Sequence, residues 1–210
     1  MIRRMSFVLA FLLLLATVAP LSAATQSATE TISRTVDVVL SIIKKPEMND
    51  PAHRPEYFKQ IEDHIKTIFD FTEFSARTVG PKWQSFTPEQ KSRFEEAFAS
   101  LLRATYIEKL EGYSGEKVEF TNEILGSKGD RAEVQSTLQM KDKSIPVAYR
   151  LLEKNNEWKI YDVRIENVSL IETYRGQLKD ILRKGSAEDL IKTVEEKALQ
   201  VKNENNTVTQ

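Results

Sequence analysis

The chain has 210 residues, 40% of them hydrophobic and 29% charged, which fits one globular domain and excludes wholesale disorder. Thirty Lys and Arg against 31 Asp and Glu leave a net charge of −1, excluding a nucleic-acid binder that works through bulk positive charge. Cysteine is absent, so disulfides, thiolate zinc sites, iron–sulfur clusters and a cysteine nucleophile are excluded together, and His53 and His64 are the only histidines.

Residues 1–24 read as an export signal. Arg3 and Arg4 give the positive start, residues 7–19 the apolar run, and Ser22, Ala23 and Ala24 the small-residue end. The run falls short of the roughly 20 residues that span a bilayer. Cleavage after Ala23 or Ala24 is therefore expected rather than a retained anchor, and no cysteine follows to carry a lipid. An exported protein without cysteine fits a bacterial periplasm. The expected organisation is a leader over 1–24, one domain over 25–202 and a polar, frayed tail over 203–210.

The mature chain opens with helices. Ile32, Val36, Val39, Leu40 and Ile43 recur at helical spacing and stop near Pro46. A turn-rich connector over 46–55 leads to a second stripe, Phe58, Ile61, Ile65, Ile68 and Phe69. The short segment FDFTEFSARTVG follows, closed by Gly80-Pro81. Thr87-Pro88-Glu89-Gln90 is a helix start: Thr87 caps, Pro88 suits the first helical position and Gln90 reaches back. Phe94, Phe98, Leu101, Leu102 and Leu110 carry that helix to Gly112.

The period then changes from 3.6 to 2. Segments 118–125, 131–140, 145–154 and 157–166 are separated by GSKGD, KDKS and NN, which predicts a four-stranded antiparallel meander. In the second strand Ala132, Val134, Leu138 and Met140 share one face and the other is polar. The third and fourth strands read as apolar on both faces, with Ile160 set opposite Tyr161, Val163 and Ile165, so the sheet needs cover on both sides. Helices return at Ser169-Leu170-Ile171-Glu172, with a stripe through Tyr174, Leu178, Ile181 and Leu182 to Gly185, and again at Ser186-Ala187-Glu188-Asp189. The architecture is α+β.

Polar chemistry is sparse. The phosphate-loop, dinucleotide, nucleophile-elbow and zinc-protease motifs are missing. His64 stands beside Glu62 and Asp63, but adjacent helical positions do not share a face, and His53 falls in a Pro-rich connector as a solvated side chain. Asp162 sits on an apolar strand, either as a buried acid with a raised pKa or, more simply, paired with Arg150 or Arg175. The salient feature is apolar: 10 Phe, 6 Tyr and 2 Trp, on helical stripes wide enough to face two things at once. Composition alone favours an ordinary core.

Several strings resemble the MlaC family, also known as toluene-tolerance or ABC-transporter auxiliary proteins. They include Phe69-Asp70-Phe71 with Gly80 and Trp83; Thr87-Pro88-Glu89-Gln90 with Phe94 and Phe98; and Ile145-Pro146-Val147 with Tyr149-Arg150-Leu151. Trp158-Lys159-Ile160-Tyr161-Asp162-Val163, Glu166-Asn167-Val168-Ser169-Leu170 and Tyr174-Arg175 form the most specific block, and the resemblance spans about residues 35–197. Asn167 departs from the family's usual Gly at this turn. The resemblance implies an NTF2-like sheet and a deep apolar cavity, roofed by helices, that holds phospholipid acyl chains with the headgroup outside. It implies phospholipid as cargo with no cofactor. As partners it implies an inner-membrane ABC transporter complex with an MlaD-type subunit and an outer-membrane lipoprotein–porin complex, the shuttle maintaining outer-membrane lipid asymmetry.

Under the same resemblance Val147, Tyr149 and Leu151 line the sheet side of the cavity together with Ile165, and Phe98, Leu102 and Tyr106 line a helical wall. Val168 sits near the mouth with Leu170 and Tyr174. Burial of acyl chain gains about 0.8 kcal/mol per CH₂, so two chains left in water would cost on the order of 20 kcal/mol. Such a cargo demands an enclosed cavity rather than a surface groove, and no catalysis. Two other readings stay open at this level: a periplasmic enzyme that uses Asp162 in an NTF2-like cavity, and a periplasmic chaperone or adaptor.

Overall fold

The computed structural model describes residues 26–107 and 115–208. The leader and the expected helix end at Leu110 and Gly112 lie outside the described residues. Two helices come first, α1 (Ala28–Ile43) and α2 (Arg54–Ile68), joined through a 3-10 turn at Pro46–Asn49. Ser27 and Glu30 close α1 with a reciprocal capping box. The α1–α2 corner packs Ile42, Ile43, Met48, Phe58 and Ile61 together.

The FDF segment forms a further helix, α3 (Phe71–Val79). Asp70 caps it, accepting from the Glu73 N–H at 2.8 Å, while its own N–H donates to the Ile160 carbonyl at 2.7 Å. The helix ends on Gly80 at φ +73°, a conformation that glycine adopts without strain, and Arg175 reaches back to the carbonyls of Arg77 and Thr78. After a 3-10 turn at Gly80–Ser85 comes α4 (Pro88–Leu102), with the expected Thr87–Gln90 capping box. Past Leu102 the chain widens into a π-helical turn, Arg103–Ile107.

The sheet is an antiparallel meander of five strands rather than the expected four: β1 (Lys117–Leu125), β2 (Arg131–Gln139), β3 (Ser144–Lys154), β4 (Glu157–Ile165) and the two-residue β5 (Val168–Ser169). Two of its hairpins are built alike. Asn155 and Asn156 stand at φ 54° and 63°, and Glu166 and Asn167 at 51° and 66°, the positive-φ pairs that two-residue hairpins of matching twist require. Asn167 thus adopts the left-handed conformation itself, at the turn where the resemblance led to an expectation of glycine. The hairpin it makes pairs Val168 with Ile165, so that the chain after β4 turns back as a strand before it becomes helix.

A bulge corrects the expected faces of β4. Leu151 opposes Ile160 but Tyr149 opposes Val163, which makes Tyr161 an extra residue and reverses the alternation. Ile160, Val163 and Ile165 consequently share the inner face with Tyr149 and Val147. The far face carries Arg150, whose Nη1 lies 3.5 Å from Asp162, and an ion network with Glu133 and Arg164. Cover on that side is local: α3 and the following helix α5 (Leu170–Gln177) contact β4, and Arg77 lies 4.4 Å above the Tyr161 ring.

The expected single C-terminal helix up to Gly185 is broken at Leu178 into α5 and α6 (Lys179–Lys184). The last helix, α7 (Ala187–Val208), continues through most of the stretch expected to fray, and Asn205 on it donates to the Ala104 carbonyl at 2.8 Å. That bond ties its end to the π-turn. Among the described residues no helix is long and apolar enough to cross a membrane.

Candidate functional site

The core is divided. One cluster joins α3, α4, α5 and α7, with Phe98 fully buried at its centre: its ring lies 5.2 Å from Phe74, 5.0 Å from Phe94 and 5.1 Å from Tyr174. A second places Ala28 and Ile32 of α1 on Ala132, Val134, Leu151 and Trp158 of the sheet. The third is the α1–α2 corner. A domain of this size ordinarily fills one continuous core; here three clusters leave a space between the second half of α1, α2, α4 and the sheet.

Between them lies a cavity of about 680 Å³. Its size is that of a ligand site, conventionally about 300–1,000 Å³, and far beyond a void for single waters. The second half of α1 roofs it with Val36, Val39, Leu40 and Ile43. From α2 and its exit come Ile65, Ile68, Phe69 and Phe71, and from α4 and the π-turn Ala99, Leu102 and Tyr106. The sheet supplies Val118, Leu138, Val147, Tyr149, Val163 and Ile165, with Met140 at the end of β2 and Leu170 at the start of α5. Four charged side chains also line it: Glu62, Lys66, Arg103 and Glu116.

Six of the ten residues assigned to the cavity from sequence are on its wall: Leu102, Tyr106, Val147, Tyr149, Ile165 and Leu170. The other four are elsewhere, each for a packing reason. Phe98 is turned into the aromatic cluster under α7. Leu151 points to the inner face but lies beneath the start of α1, where the gap has closed. Tyr174 stays in the helical core, its hydroxyl hydrogen-bonded with Tyr106 and Thr105. Val168 stands on β5 with 57% of its surface exposed and is not on the wall of this cavity, while Leu170 is buried at depth rather than at a mouth.

The stripe on α1 was visible as Val36, Val39, Leu40 and Ile43, but its role as a roof was not, and Ile160 and Val163 were hidden by the bulge. Ser136 was passed over as polar in an apolar alternation. It faces inward, and its hydroxyl is satisfied by the Val147 carbonyl at 3.2 Å. Burial pushes the hydroxyl pKa values of Tyr149, Tyr106 and Tyr174 up, and the neighbouring Tyr106 adds to the rise at Tyr174.

Asp162 is fully buried and structurally engaged. Its Oδ2 accepts from the Ser169 hydroxyl at 2.7 Å and its Oδ1 from the Ile171 N–H at 3.2 Å, so it anchors the first turn of α5 and pairs with Arg150, not Arg175. His64 lies outside the cavity, bordering a separate polar hollow with Gln26, Arg34 and Lys159. His53 is exposed, its Nδ1 2.8 Å from Asp50. Among the described residues no three His, Asp or Glu side chains are grouped to hold a metal ion.

A curled antiparallel sheet roofed by helices around an oily chamber defines an α+β protein with a preformed site for an apolar ligand. The chain belongs to the MlaC family, whose model, described as MlaC protein, matches residues 33–196. It is 23% identical over 151 residues to the intermembrane phospholipid transport system binding protein MlaC of Haemophilus influenzae, covering 70% of this chain and 71% of that one. Toluene tolerance protein ttg2D of Pseudomonas putida is 24% identical over 186 residues, with 88% and 86% covered. A phospholipid-binding protein from Ralstonia solanacearum, solved in complex with a phospholipid at 1.53 Å, matches with a TM-score of 0.75 at 27% identity, over 84% of this chain and 99% of that one.

Proposed function

We propose that this chain is an exported, periplasmic phospholipid carrier that takes the acyl chains of its cargo into the cavity between α1, α2, α4 and the sheet. One observation carries the reading: a hydrocarbon-lined space of about 680 Å³ that the protein's own side chains leave unfilled. Apolar volume of this kind gains nothing for stability, because its lining forgoes packing contacts. It has value when a molecule of matching chemistry fills it.

Transfer of acyl chains from bilayer to cavity exchanges one hydrocarbon surrounding for another and is nearly neutral. A neutral exchange suits a shuttle but sets no direction. Direction then comes from the partners, an inner-membrane ABC transporter complex with an MlaD-type subunit and an outer-membrane lipoprotein–porin complex, through which the chain would serve outer-membrane lipid asymmetry. The relatives named for phospholipid binding and transport support this assignment. The enzyme reading loses its acid, since both carboxylate oxygens of Asp162 are spent on α5.

The test is transfer of a fluorescent phospholipid between two populations of vesicles. The carrier reading expects a rate proportional to protein concentration. Transfer no faster than in buffer, together with binding of unfolded polypeptide, would favour a chaperone instead.

A further inference from the structure

We propose that the polar hollow between the start of α1, the second half of α2 and the β3–β4 hairpin is a second binding site, built for a small organic carboxylate. It is separate from the lipid chamber, and the assignment does not depend on the carrier reading.

The hollow measures about 340 Å³, at the small end of the range for ligand sites. Thr35 and Ile68 line both spaces, so these two side chains form the partition between hollow and chamber. The chemistry changes across it. Hydrocarbon dominates the chamber, whereas Gln26, Arg34, His64 and Lys159 line the hollow, and Trp158 is the largest apolar residue on its wall.

Three of these groups have no partner within the fold. Among the described residues Arg34 forms no ion pair. The one carboxylate on the wall, Glu157, is taken by Lys159 at 2.6 Å, and Lys159 also donates to the Thr67 carbonyl at 2.9 Å. Nε2 of His64 and Nε2 of Gln26 are buried and make no hydrogen bond. Leaving one buried nitrogen unpaired is costly, and two beside the same hollow point to a partner that enters it. A water would serve a neutral donor, but a free guanidinium asks for an anion.

The placement of the groups sets the class of anion. Arg34 is exposed and stands at the rim, where its fork can grip two oxygens of a carboxylate. Gln26 and His64 lie at the floor, within the reach of a polar atom carried inward. Trp158 and Ile68 give cover to a short apolar body, which an inorganic anion does not have.

The experiment titrates the purified protein with sodium benzoate and follows its N–H signals by NMR, with sodium chloride at matched ionic strength as the blank. Saturable shifts are expected at the Gln26 side-chain amide, the Trp158 indole and the backbone of residues 156–159, with inorganic phosphate binding several-fold more weakly. Arg34→Gln removes a side chain that no partner holds, so the variant should fold and carry lipid as the wild type does. Its affinity for benzoate should drop about tenfold, the scale of a charge-assisted hydrogen bond. His64→Phe should weaken benzoate several-fold. Equal binding by the wild type and Arg34→Gln, or shifts no larger than those with chloride, would overturn the site. Shifts at Val147 and Tyr149 in place of the hollow would put benzoate in the lipid chamber and also refute it. Inorganic phosphate bound as tightly as benzoate would refute the choice of an organic carboxylate.

Discussion

The Ser169 hydroxyl donates to Oδ2 of Asp162 at 2.7 Å, and both side chains are sealed from water. Ser169 also caps α5, so one buried contact fixes the turn from the last strand into the helix that closes the cavity's end. Asp162→Ala strands the Ser169 hydroxyl and the Ile171 N–H. The expected loss is about 3 kcal/mol, read as a shifted urea midpoint. Asp162→Asn, which keeps the shape and one acceptor, should lose about half as much and still hold lipid. A stability unchanged in Asp162→Ala would contradict the anchoring role.

Two valines on one rung of the sheet, flanking Ile165, give an internal control. Val147 is on the cavity wall and Val168 is exposed on β5. Val147→Glu places an unpaired carboxylate among hydrocarbon, and bound lipid should drop about tenfold or more, an effect of at least ~1.4 kcal/mol. Val168→Glu should leave lipid content unchanged. Extraction and quantification of lipid from both purified variants checks the pair, and equal losses would mean that the wall is misplaced.

Alkaline behaviour follows from the inward-facing tyrosines. Burial raises the hydroxyl pKa values of Tyr149 and Tyr174 above the usual value of about 10. The folded chain therefore keeps protons that the unfolded chain releases. Their contribution to stability is complete below about pH 10 and is lost as pH rises above it toward the folded-state values. Urea midpoints should decline above about pH 10, less steeply in Tyr149→Phe, and absorbance titration should show late-ionising tyrosines. All tyrosines of the native protein ionising together near 10 would contradict this.

Local signals in the sequence were strong where one residue type settles the matter. Thr87 with Gln90, Ser169 ahead of α5 and the Asn155-Asn156 turn were legible because capping and left-handed backbone are chemistry of single positions. β5 was not, since two residues carry no periodicity. Nor was the bulge at Tyr161: alternation read along one strand cannot reveal that the neighbouring strand supplies one residue fewer. The cavity was half visible. Phe98 and Leu102 belong to the same stripe of α4, and only the placement of α7 and Tyr174 decides that one fills the core and the other faces the gap. The aromatic excess thus marked a thick helical layer as much as a binding site.

The central claim is that the chamber holds a phospholipid. Native mass spectrometry of the purified protein tests it most directly, with organic extraction and lipid identification of the same sample. The account predicts a dominant species heavier than the polypeptide by one phospholipid, and near-complete loss of that added mass in Val147→Glu but not in Val168→Glu. A wild-type protein that flies at the bare polypeptide mass, and from which solvent releases no lipid, would contradict it.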